Sequence, residues 1–335
     1  MTAGAVGRIR GVDWSTWLHR RGWTVGVWVL LLLMVAWYAA LIPKFGGFQI
    51  ASISKNSLPL VYLAIGQAIV VIAGGIDLSV GAMLILTNSI AAQLMLDQPL
   101  GVTLLVAVLV ILIGAVINGV VGWVITVSRV PDIVVTLATS FILSGAALLV
   151  LPSPGGGTSE GFRAIFTGSG SGSGSTFWPS LVAIAIPMAV AAWWMKGTRT
   201  GLSLYATGSS LGAAYLSGVR TGRAKMVSYA VGGGFSALAG LSALAITGSG
   251  ESRAATGSIF TLRSVAAIVL GGVALTGGIG SVVGAVAAAI ILFTLSPILS
   301  AMGIDPNTGQ VVQGVLIVVV MMVAGVVELR RQRAA

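Results

Sequence analysis

Gly74-Gly75-Ile76-Asp77-Leu78-Ser79-Val80-Gly81 stands where two apolar runs meet, residues 57–74 and 78–96. Each run approaches the roughly 20 apolar residues that cross a hydrocarbon layer. A carboxylate between two such runs, directly after two glycines, is a polar interruption at membrane depth. Ionisable groups there are costly and mark gates or solute paths. Asp77 also precedes Leu78-Ser79-Val80, where a carboxylate caps a helix N-terminus. The capping role and the gate role are compatible, and both stay open.

Working outward, eight more apolar runs follow the same logic. They lie near 22–42, 101–127, 132–151, 177–195, 226–247, 264–276, 280–298 and 310–327. The run at 264–276 is short enough for a re-entrant segment, and Ile259–Leu262 could lengthen it. If all ten cross and the N-terminus is cytoplasmic, thirteen of the eighteen Lys and Arg residues face inside. Lys44, Lys55, Arg163, Arg253 and Arg263 face outside. Basic residues favour the cytoplasmic side, so ten crossings with both termini inside is the preferred topology. The expected organisation is a cytoplasmic amphipathic segment 1–21, a transmembrane domain 22–329 and a cytoplasmic tail 330–335. The expected loops are an external one, 152–176, and a cytoplasmic one, 196–225.

The composition excludes other classes. Of 335 residues, 56% are hydrophobic and 8% charged, and mean hydropathy is +1.04. Soluble chains carry about 25% charged residues. A soluble enzyme, a disordered chain and a nucleic-acid-binding domain are therefore disfavoured, and the net charge of +10 reflects topology. There is no cysteine, and His19 is the only histidine, so thiolate chemistry and multi-histidine zinc sites are excluded. None of the four lysines is followed by Ser or Thr, so no phosphate-cradling Gly-Lys-Ser/Thr motif exists. The first apolar run is too long for a typical signal core. Asp13 ahead of Trp14, Trp17 and Leu18 reads as an interfacial anchor.

Several polar and small residues remain to be placed. Gln67, Asn88 and Asn118 sit inside spans, where such groups tie helices together or line a path. Asp132 after Pro131 is a candidate cap for the fifth span. Small residues recur at spacing four in Gly280/Gly284/Ala288, Ala115/Gly119 and Ser236/Gly240, as close helix packing requires. Gly271-Gly272 near the eighth and ninth spans weakly echoes Gly74-Gly75, and paired breaks in two halves can mark a transport path. In the external loop, 161–166 could form one turn before the Gly/Ser tract. In the cytoplasmic loop, Ser209 or Ser210 can cap a short helix that Gly218 stops. Leu211, Ala214 and Tyr215 share one face of it, which is buried against its own domain or inserted into a partner.

Four stretches together resemble the permease subunits of ribose-type bacterial ABC importers, the family of monosaccharide and autoinducer-2 permeases. They are Gly74–Gly81, Pro131–Leu137, the segment from Tyr205–Gly208 through Ala213–Val219, and Ala266–Gly272 followed by Gly277–Gly280 and Gly284. The resemblance extends over nearly all of the chain beyond about residue 50. Positions 208–212 depart from it, reading Gly-Ser-Ser-Leu-Gly where the family more often has Asn and an acidic residue.

The resemblance implies an all-α membrane bundle that pairs with a second copy or a close homologue. Two ATP-binding subunits would dock at the coupling helices, and an extracytoplasmic binding protein would deliver solute. On that basis Ser210, Leu211, Ala214, Tyr215, Leu216 and Gly218 are candidate coupling residues. Gln67, Asp77, Asn88 and Asn118 are candidate path or gate residues. Gly74, Gly75, Gly271 and Gly272 are candidate helix breaks. The chain itself would bind no cofactor, with ATP and Mg held by the partner ATPases in the bacterial inner membrane. The competing reading is a secondary transporter or facilitator, for which a carboxylate series is wanting.

Overall fold

The computed structural model describes residues 14–168, 177–305, 307–316, 318–319 and 322. Asp13, the Gly/Ser tract at 169–176 and the tail at 330–335 lie outside these residues. The described residues form α1 (Trp14–Leu41), α2 (Gly47–Ile72), α3 (Val80–Leu94), α4 (Leu100–Ser128), α5 (Asp132–Val150), α6 (Glu160–Thr167) and α7 (Trp178–Gly197). These are followed by α8 (Arg199–Ser209), α9 (Leu211–Leu216), α10 (Thr221–Thr247), α11 (Ala254–Leu270) and α12 (Val282–Ala301). Residues 307–316 are again helical. The described residues form an all-helical bundle, and among them seven helices are long and apolar enough to span a membrane: α1 from Gly22, α2, α4, α5, α7, α10 and α12.

α2 forms the axis. From Leu58 to Ile72 every one of its residues is buried, and α7, α10, α11 and α12 pack around it. α10 lies between α2 and α4, while α1 packs on α12 at the rim. The broad outer faces of α4 and α5 remain apolar and exposed, at Leu105, Val116, Phe141 and Leu149 among others. That is how a helix looks when its solvent is lipid rather than water.

Glycine sets the interhelical distances. A Cβ on Gly81 would stand 1.9 Å from the Gly257 carbonyl oxygen, so α3 and α11 touch backbone to backbone. Gly66 meets Gly232 between α2 and α10, and Gly114 meets Gly233 between α4 and α10. The stripes expected at Ser236/Gly240 and Gly280/Gly284 serve this purpose through Gly240 on α3 and Gly284 on Gly271. In lipid such approaches supply dispersion that the hydrophobic effect does not.

Four expectations change. The N-terminal anchor and first span are one continuous helix from Trp14. Residues 196–225 are not a loop around one helix but contain both α8 and α9. The eighth segment begins at Ala254 and ends at Leu270, ten residues ahead of its expected start. Small and polar residues from Ala254 to Arg263 hide its first half in a hydropathy scan. Gly271–Ile279, apolar in composition, is instead folded into turns with positive φ at Gly272, Gly277 and Gly278. Lys55 and Arg263, expected in external loops, lie within α2 and α11.

The glycine contacts predict a sharp contrast. Gly81→Ala forces α3 from α11 and should lower the thermal midpoint of the detergent-solubilised protein, at a cost of about 1–3 kcal/mol. Gly145→Ala, in α5 with nothing within 4 Å of a new Cβ, should leave the midpoint unchanged or raise it.

Candidate functional site

The segment that opened the sequence reading leaves α2 at Ile72, turns at Gly74 with φ +81°, and runs to Val80 without helix. Its backbone groups must find partners inside the protein. The Leu78 amide donates to Thr136 Oγ1 at 3.1 Å and the Gly81 amide to Thr261 Oγ1 at 3.1 Å. Asp77 is fully buried. Its Oδ1 accepts from the Ser79 amide (2.8 Å) and hydroxyl (2.6 Å), and its Oδ2 from Asn118 Nδ2 (2.8 Å). Asp77 therefore does not cap α3. Ser79 occupies that position and Thr261 satisfies the first turn, while Asp77 folds the approach and ties it to α4.

Asp132 likewise departs from the expected cap. It is the first residue of α5, with Pro131 before it, and its carboxylate points across to α10. Lys225 Nζ lies 2.7 Å from Oδ1, and the Tyr229 hydroxyl donates to Oδ2 at 2.9 Å. The same hydroxyl is 3.2 Å from the Ile76 carbonyl. Lys225 and Tyr229 thus bind the start of α5 and the broken segment to one helix. Neither was singled out as a site residue, because nothing in the sequence pairs positions 93 residues apart.

The two breaks meet. The Gly278 amide donates to the Ile72 carbonyl at 2.9 Å. A Cβ on Gly208 would stand 1.9 Å from that carbonyl and 2.6 Å from the Gly278 nitrogen. A Cβ on Gly277 would stand 2.9 Å from Gly74 Cα. The end of α8, the turn after α2 and the turn before α12 therefore interlock through Gly74, Gly208, Gly277 and Gly278. Of the expected break residues, Gly74 lies in this junction and Gly75 sits beside Tyr229 and Asp132. Gly271 instead ends α11 against Gly284 and Ala285, and Gly272 faces Trp23. The Tyr205 hydroxyl donates to the Gly280 carbonyl at 3.0 Å, fixing α8 to the same turn.

α9 follows this junction directly. Ser210 caps it, its Oγ accepting from the Ala213 amide at 3.3 Å, and Gly218 ends it with φ +82°. Ala214 is 5% exposed and faces the bundle, whereas Leu211, Tyr215 and Leu216 are 59%, 70% and 86% exposed. The expected stripe is therefore divided. Ala214 seats the helix, and Leu211, Tyr215 and Leu216 are left without cover.

The remaining path candidates separate by hydrogen bonding. Asn88 uses both ends of its amide, donating to the Gly240 carbonyl (3.0 Å) and accepting from the Glu251 amide (2.7 Å). It is an interhelical tie. Gln67 is fully buried with neither amide atom bonded, and Asn118 Oδ1 and Ser89 Oγ are also unbonded. Among the described residues no cluster of three or more His, Cys, Asp or Glu could hold a metal ion.

Comparison with known proteins agrees with this architecture. The family described as "Branched-chain amino acid transport system / permease component" matches residues 49–321, and the chain belongs to that family. It is 32% identical to the ribose import permease protein RbsC of Escherichia coli K12 over 301 residues, 88% of this chain and 91% of that one. The Bacillus subtilis ribose import permease is 31% identical over 269 residues, 78% of this chain and 79% of its own. The galactose/methyl galactoside import permease MglC of Escherichia coli K12 is 29% identical over 308 residues, 88% and 91%. No solved structure matches the chain significantly. The protein is a transport subunit, a multi-pass permease of the bacterial inner membrane.

The Lys225–Asp132 pair has side chains only 19% and 14% exposed. Removing one partner of such a pair leaves an uncompensated charge, about 3–5 kcal/mol. Lys225→Met and Asp132→Leu should each lower the yield of monodisperse protein in size-exclusion chromatography, and the double variant should recover most of it. Additive losses in the double variant would remove the pair from the scaffold.

Proposed function

We propose that this chain is the membrane-spanning permease subunit of an ATP-driven importer for a small polyhydroxylated solute, a monosaccharide, working by alternating access. The family description names amino acids, but the relatives above carry the names of ribose and galactose permeases. The observation that carries the mechanism is the position of α9. Its Leu211, Tyr215 and Leu216 are bare on one side, and its other side continues into the junction that locks both helix breaks together.

An exposed apolar face on a short helix fits a groove on a partner. The partner in this reading is an ATP-binding subunit, one on each of two permease copies, with ATP and Mg bound there. A binding protein delivers solute at the opposite face. Arg129, Lys196, Arg199, Arg220, Arg223 and Lys225 gather at the α9 end of the bundle, which supports assigning that end to the cytoplasm. That assignment is consistent with the proposed ten crossings and cytoplasmic termini.

Force applied at α9 passes through Ser209 and Gly208 to the Ile72 and Gly278 backbones, and so to α2, α3, α11 and α12. ATP binding shifts the permease only to the extent that the docked ATPase favours one arrangement of this junction. Asp77 lies in the segment that must rearrange, Asn118 is bonded to it from α4 and Gln67 is buried in α2 ahead of it, which makes them the candidate gate.

Co-purification from native membranes tests the docking face. Leu211→Asp and Tyr215→Asp should each lose the ATP-binding subunit and abolish uptake while the permease still inserts. Normal uptake in both would overturn the reading. Gly208→Ala should behave differently, retaining the ATPase yet slowing uptake at least tenfold, measured with radiolabelled ribose and galactose.

A further inference from the structure

The start of the eighth crossing joins irregular backbone and charged side chains to a helix that opens with small residues. Gly250 lies against Ala92 and Gly257 against Gly81. Those two α3 positions are eleven residues apart, about 16 Å of helical rise. The chain thus descends most of the height of α3 in the seven residues from Gly250 to Gly257, and of these 250–253 are without helix. The Glu251 amide is held by Asn88, six residues inside the end of α3, about 9 Å deep. Irregular backbone at this depth is tolerated where it is covered by protein or lines water.

The side chains narrow that choice. Glu251 and Arg253 form a bidentate ion pair, with Nη2 to Oε2 at 2.6 Å and Nε to Oε1 at 3.0 Å. Arg253 is 71% exposed in this chain. Farther along, Arg263 lies mid-way down α11, nine residues after its start, and is not fully covered. Its Nη2 donates to Gln313 Oε1 at 2.7 Å. Gln313 in turn donates to Ser296 Oγ. Arg263 has no carboxylate partner among the described residues. Between the two arginines, Ala255 and Ser258 are exposed, as are the apolar Ile259 and Leu262. An ion pair and a second cation at this depth would cost several kcal/mol each against hydrocarbon. Water satisfies them without that cost.

We infer that residues 251–263 line the aqueous solute path, with Glu251, Arg253 and Arg263 presenting hydrogen-bonding groups to a hydroxylated solute. The inference rests on the permease reading and adds a selectivity to it. Two guanidinium groups against one carboxylate leave a positive excess, so the path accepts neutral and anionic solutes and disfavours cations. Arg253 and Arg263 offer donors only, which suits hydroxyl and carbonyl oxygens.

The absence of cysteine in the natural chain makes the test direct. Ala255→Cys, Ser258→Cys and Val116→Cys are introduced singly, Val116 being an exposed residue on the apolar face of α4. Intact cells are treated with membrane-impermeant methanethiosulfonates, one an ethylsulfonate and one a trimethylammonium-ethyl. Positions 255 and 258 should react and 116 should not. The anionic reagent should react severalfold faster than the cationic one, relative to a free thiol in solution. Arg263→Gln should shrink that preference.

Positions 255 and 258 as silent as 116 would overturn the path, whether lipid, a second copy or another part of the chain covers them. Equal or reversed reagent preference would overturn the charge selectivity. Uptake of ribose and galactose in the same cells separates the two readings. Reactive cysteines without sugar uptake support the path and remove only the monosaccharide, whereas uptake with silent cysteines removes only the path.

Discussion

A peptide group inside hydrocarbon has only the protein to bond to, and α-helix is the simplest answer. Among the described residues the chain gives up that answer at 73–79, 248–253 and 271–281. Each time a specific set of groups takes over. Asp77, Thr136 and Thr261 serve the first break, Asn88 and a Gly155–Gly250 bridge the second, and the Ile72 carbonyl with turns of its own the third. Thr136, Thr261, Asn88, Gly155 and Ile72 each sit on another element, so the breaks cannot form independently of the bundle. The axial position of α2 follows, since it must end where the first and third breaks meet.

The glycines are the counterpart of that constraint. Backbone groups reach across elements only if the elements nearly touch, and Gly81, Gly208, Gly233 and Gly257 allow approaches that any Cβ would block. Where the junction must also turn, Gly277 and Gly278 adopt φ of +88° and +70°. Rigid helices joined at glycine contacts can move as bodies, whereas interdigitated side chains would lock them. The bundle combines stiff elements with a small number of backbone pivots, and α9 stands beside the densest group of them.

Much of this was written in the sequence. Long apolar runs marked the helices because lipid exposure demands apolar residues on every face, as on α4 and α5. The short helix at 211–216 was legible from Ser210 and Gly218, since capping is local chemistry. Gly74 was legible as a break, and the turn at 161–166 emerged as α6, capped by Ser159 and anchored by Arg163 on the Ala245 and Ile246 carbonyls. The α11 boundaries were not legible. A helix that borders polar groups carries Ser, Thr and Arg, and a hydropathy window reads these as loop. The carboxylates misled for a related reason, because Asp77 and Asp132 stand close to helix starts while their partners Asn118, Lys225 and Tyr229 are remote in sequence. The Gly208 junction was out of reach, since a glycine's contacts leave no trace in its own residue type.

The bond between Gly278 and Ile72 joins residues 206 positions apart. A ribosome adding about 5–20 residues per second needs some 10–40 s to cover that distance. Throughout that interval the Ile72 carbonyl has no native partner from the second half, although Asp77 has met Asn118 and the Leu78 amide has met Thr136 within the first. The nascent chain therefore waits in the membrane with the first break partly satisfied and the other two yet to be made. Its last turns arrive to find a socket, and synthesis order becomes part of how the path is assembled.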